Sequence, residues 1–75
     1  MDLEGFNRAA QRVLENENQL RIKLTQLDNG QLPDDYYLHE PYIKDKSIEG
    51  IKEYYKNICK FNNDNILAQY AKKNP

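Results

Sequence analysis

Few side chains in this sequence could do chemistry. It has one histidine, His39, and one cysteine, Cys59. His39 lies in the tract Asp34-Asp35-Tyr36-Tyr37-Leu38-His39-Glu40, where carboxylates and an imidazole could in principle hold a cation or trade protons. The spacing matches no metal-binding motif, and a single Cys and a single His 20 positions apart cannot close a zinc site. Cys59 follows Ile58 on an apolar helical stripe, which reads as a half-buried structural thiol rather than a nucleophile. The 3 glycines are scattered, so there is no phosphate-cradling loop. The chain therefore reads as a non-enzyme without metal or cofactor.

What remains is the chemistry of recognition. Tyr36, Tyr37, Leu38 and Tyr42 form an aromatic cluster among carboxylates, and tyrosines offer large contact area at low entropic cost. They could dock into a basic groove on another protein, or pack on the chain's own helices. Lys52, Lys56 and Lys60 recur every fourth residue, with Lys44 and Lys46 upstream and Tyr54 and Tyr55 alongside. Such a ridge could meet phosphates and stacked bases. Against that, Glu49 and Glu53 share the polar side, the net charge is -1 and no nucleic-acid reader motif occurs, so an ordinary solvated face is the competing account.

These groups must be positioned by helices. Leu3, Phe6, Ala10, Val13, Glu17, Leu20, Leu24 and Leu27 step along at alternating spacings of 3 and 4, a heptad seam. With Leu3 at position a, the d layer (Phe6, Val13, Leu20, Leu27) is wholly apolar and the a layer (Leu3, Ala10, Glu17, Leu24) carries one charge. Ala9 at g and Leu14 at e broaden the apolar face beyond what a two-stranded zipper needs. The seam needs a covering helix, either from another chain or from this one. Glu17 within it could set register or demand a basic partner. Otherwise it turns to Arg21 in solvent; Glu17→Leu would tighten self-association only if Glu17 faced its own copy.

The first helix is expected over residues 3–27, with Asp2 as N-cap and Asp28-Asn29-Gly30 as its end. Residues 29–46, with Pro33 and Pro41, read as an irregular, extended connection lying against a helix, with a short strand at 35–43 as an option. A second helix is expected to start after Ser47 and run to Phe61 on a stripe of Ile48, Ile51, Tyr55 and Ile58. The Asn62-Asn63-Asp64-Asn65 tract suggests a break, with Asp64 capping a short third helix that frays before Pro75.

The fold class is thus all-α, organised as 1–28 (coiled-coil-like helix), 29–46 (connection) and 47–75 (helical segment) in one small domain. A chain of 75 residues buries little core, and with neither disulfide nor metal its available reinforcement is association. Residues 1–40 carry a net charge of -4 and residues 41–75 a net +3, which favours contact between the halves, within or between copies. A lone cysteine and the lack of a leader or a membrane-spanning run fit an intracellular setting, cytoplasm or nucleus. Richness in Asn, Lys, Ile and Tyr accompanies AT-rich coding, as in many phages. The expected role is a protein–protein interaction module, a homo-oligomer or heteromeric subunit, serving as an assembly component or an accessory protein such as a viral modulator. The alternative is a small dimeric nucleic-acid-binding regulator using Lys52, Lys56 and Lys60.

Overall fold

The computed structural model describes residues 3–73 and is all-α. Two 26-residue helices, α1 (Leu3–Asp28) and α3 (Ile48–Lys73), lie side by side. They are antiparallel: Phe6 meets Tyr70, Asn16 meets Asn63 and Asp28 meets Lys52. Between them, α2 (Tyr36–His39) and a 3-10 turn (Glu40–Tyr42) cross one end of the hairpin. The expected caps at Asp2 and the fraying at Pro75 lie outside the described residues.

The end of α1 forms as its sequence requires. Gly30 takes a positive φ of 78°. The amides of Gly30 and Gln31 then turn back to the carbonyls of Leu27 (3.0 Å) and Gln26 (2.8 Å), closing the last turn in a Schellman arrangement. At the start of α3, the Ser47 hydroxyl accepts from the Gly50 amide at 3.1 Å, and Asp45 accepts from the Ser47 amide at 3.0 Å.

The connection departs from the extended reading. It folds into short helical turns, with no strand among the described residues. Pro41 sits at the start of the 3-10 turn, where its missing amide proton is not needed. The Pro33 carbonyl accepts from the Tyr36 amide at 3.0 Å and so opens a turn rather than a strand. Tyr36 and Ile43 drop into the core with Leu27, Ile51 and Tyr55, and Leu20 and Tyr54 pack against them.

The expected break at Asn62–Asn65 does not occur either; α3 runs through it unbroken. The buried stripe of α3 is Ile51, Tyr55 and Ile66, with half-buried Cys59, Asn63 and Tyr70 in phase between and beyond them. Asn63 keeps that interior position by donation from Asn16 Nδ2 to its Oδ1 at 2.9 Å, while its own Nδ2 points to Cys59 Sγ at 3.6 Å. An interior amide with partners costs little, so the helix has no reason to stop. Lys60 and Asp64, paired at 2.9 Å one turn apart, also support continuity.

Gly50 carries a steric requirement. A Cβ there would collide with the backbone and side chain of Asp45, which folds over the first turn of α3. Gly50→Ala is expected to destabilise the protein by about 2 kcal/mol despite alanine's better helix propensity, measured as a shift in the urea midpoint at unchanged slope.

Candidate functional site

The burial of α1 shows which part of its heptad seam the fold has used. Helix α3 lies on the d and g edge, where Leu27 is 1% exposed, Ala9 is buried, and Val13, Asn16, Leu20 and Lys23 are half-buried. The a and e edge faces outward. Leu3 remains 65% exposed, Leu14, Glu17, Arg21 and Asp28 are exposed, and Ala10 and Leu24 are half-buried. Phe6, a d residue, is 51% exposed at the open end, where its ring meets Tyr70 edge-on at 6.0 Å. One apolar face has thus been divided in two because a single helix cannot cover it.

The uncovered half continues into a groove of about 570 Å³ between α1 and α3. Val13, Leu20 and Leu24 from α1 meet Cys59 and Leu67 from α3 along it. Its rim is charged: Glu17, Arg21 and Asp28 on α1, and Lys56, Lys60 and Asp64 on α3. Lys60 pairs with Asp64, and Asp28 with Lys52 at 2.8 Å. Glu17, Arg21 and Lys56 have no ion-pair partner among the described residues.

The aromatic tract is divided as well. Tyr36 is 9% exposed and belongs to the core, whereas Tyr37 and Tyr42 are 73% and 74% exposed beside exposed Leu38. Of the lysine ridge, Lys52 is drawn to Asp28 and Lys60 to Asp64, while Lys56 lines the groove. The hydrogen-bonded carboxylates hold the ammonium groups of Lys52 and Lys60 above the usual lysine range.

A polar network that spacing alone could not reveal lies around Asp35. Its carboxylate accepts from Lys23 Nζ at 3.0 Å and His39 Nε2 at 3.2 Å through Oδ2, and from the Tyr55 hydroxyl at 3.0 Å through Oδ1. Because an ionised carboxylate can only accept, His39 Nε2 is the donor to Asp35, while its Nδ1 lies 2.9 Å from the Tyr54 hydroxyl. Lys23 also stands 5.3 Å above the Tyr55 ring. Burial raises the affinity of Asp35 for its proton, but the hydrogen bonds from Lys23 and Tyr55 and the nearby charges outweigh it. The net shift is below the ordinary carboxylate value. Burial, followed by the Asp35 charge, pushes the Tyr55 phenol well above its usual range. The cluster joins three segments of the chain. Among the described residues, no group of three or more His, Cys, Asp and Glu side chains could hold a metal ion, and no helix is long and apolar enough to cross a membrane.

The network makes stability depend on pH in a defined sense. The Asp35 contribution is complete above about pH 4 and is lost as pH falls through its depressed native value; the Tyr55 contribution is complete below about pH 10 and is lost above it. Asp35→Ala is expected to cost about 2 kcal/mol at pH 7 and to flatten the acid limb of a stability–pH curve from chemical denaturation, because three donors lose their acceptor at once. Comparison with protein-family models, with curated proteins and with solved structures finds no match to this chain.

Proposed function

We propose that this chain is a non-enzymatic protein–protein interaction module that docks through the outward edge of α1 and the adjoining groove. In this reading it serves as a small assembly subunit or an accessory protein. The observation that carries the reading is the divided seam. A helix–helix pair that leaves Leu3, Leu14, Leu24 and Leu67 on one open side, beside a groove whose charged rim includes Glu17, Arg21 and Lys56 without an ion-pair partner among the described residues, suits the docking of another helical surface. Exposed Tyr37, Leu38 and Tyr42 provide a smaller second contact on the connection. The nucleic-acid reading has less support, because carboxylates already take two of the three ridge lysines.

The full chain, expressed in its own cells with a photoreactive cross-linker, is expected to form covalent protein adducts. Those adducts should disappear with Leu24→Glu, while circular dichroism of the variant stays helical. An adduct pattern unchanged by that variant would refute groove docking. In parallel, binding to labelled single- or double-stranded DNA should be no tighter than the roughly 10⁻⁴–10⁻⁶ M of non-specific contact. Tight, saturable binding abolished by Lys→Gln at Lys52, Lys56 and Lys60 would favour the alternative.

A further inference from the structure

Four of the six rim charges, Glu17, Arg21, Lys56 and Asp64, form a pattern that is its own complement. On α1, Glu17 and Arg21 lie symmetrically about position 19, and so do Leu14 and Leu24. On α3, Lys56 and Asp64 lie symmetrically about position 60. The Asn16–Asn63 hydrogen bond places 19 and 60 at the same level of the antiparallel pair, because each step up α1 matches a step down α3. A single two-fold axis crossing both helices at that level therefore reverses all three pairs together. We infer that the groove is covered by the same groove of a second copy, in a two-fold dimer that forms an antiparallel four-helix arrangement. Each α1 lies along its partner's α1 and each α3 along its partner's α3. The inference rests on the docking reading above and names its occupant.

In that arrangement Glu17 faces the partner's Arg21, Lys56 faces the partner's Asp64, and Leu14 packs on the partner's Leu24. Symmetry makes each of these contacts twice. Glu17, Arg21 and Lys56, without an ion pair among the described residues, acquire one. Lys60 stands near the axis, where like charges from the two copies would repel, and its own Asp64 at 2.9 Å offsets that repulsion. The opposite stacking, α1 on the partner's α3, keeps residues at their own level and sets Arg21 between two lysines. A parallel zipper through α1 alone is disfavoured, since Leu27 is already buried in the core and Leu20 is half-buried. The size is also adequate. The hairpin extends 44 × 21 Å along its two longer axes, and a standard interface takes about 800 Å² from each partner.

Sedimentation equilibrium of the purified chain, from about 1 to 200 μM, tests the inference. A dimer is expected, with Leu24→Glu weakening it at least thirtyfold. Glu17→Arg and Arg21→Glu should each weaken it about tenfold, because each places like charges across the axis twice. The double variant Glu17→Arg/Arg21→Glu should return to within about threefold of the parent, a recovery that a general loss of helix cannot imitate. Cys59 lies in the groove, so its alkylation by a maleimide should slow as the concentration rises through the dissociation constant. A helical monomer across the range, with alkylation independent of concentration, would overturn the inference. So would a dimer indifferent to Leu24→Glu, or singles not rescued by the double variant. If the chain is monomeric while groove-dependent adducts persist in cells, the occupant is a helix of another protein and the docking reading stands.

Discussion

The carboxylate of Asp35 joins three segments that would otherwise be loosely connected. It takes a proton donor from α1 (Lys23), one from α2 (His39) and one from α3 (Tyr55). Apolar contact along a stripe between two long helices, even with the Asn16–Asn63 hydrogen bond and the Asp28–Lys52 ion pair, is tolerant of small shifts in geometry. A charged acceptor with directional partners on both helices is not tolerant, because moving any one donor leaves a partly desolvated group unsatisfied. The same network holds the connection over Leu27, Ile51 and Tyr55, so the polar cluster and the apolar core occupy one end of the molecule and support each other.

That anchoring has a consequence for the rest of the surface. With α3 held on the d and g edge of α1, the a and e edge has nothing among the described residues to cover it, and the groove opens on that side. The opposite end of the hairpin has no connection across it and relies on Ala9, Ile66 and the Phe6–Tyr70 ring contact. Apolar area is thus left open beside an internally satisfied network. Of the charges around it, Glu17, Arg21 and Lys56 have no ion-pair partner among the described residues.

Much of this was readable from residue order, and each failure has a cause. The Gly30 cap and the Ser47 cap follow from local backbone chemistry, so they could be placed without tertiary information. The seam was visible, but not which half of it the chain would use on itself, since that depends on where α3 lies. The Asn62–Asn65 tract reads as a break only if Asn63 has no interior partner; its partner, Asn16, is 47 positions away. Tyr36 looked equivalent to Tyr37, yet one turn of helix in the connection sends the first into the core and the second to solvent. Of the Asp35 cluster only the i,i+4 pair with His39 is local; Lys23 and Tyr55 come from α1 and α3 and have no sequence spacing that reveals them.

The sequence by itself determined the periodicities: a long first helix, a helical C-terminal segment, the Gly30 and Ser47 caps and an apolar face on the first helix too wide for one partner. These are decided by interactions between residues a few positions apart, which local order encodes directly. Only the tertiary structure decided which edge of that face stays open, which polar groups find partners and which tyrosines are buried. Each of those outcomes depends on contacts between residues far apart in the chain, and the geometry of α3 on α1 selects among alternatives that are locally equivalent.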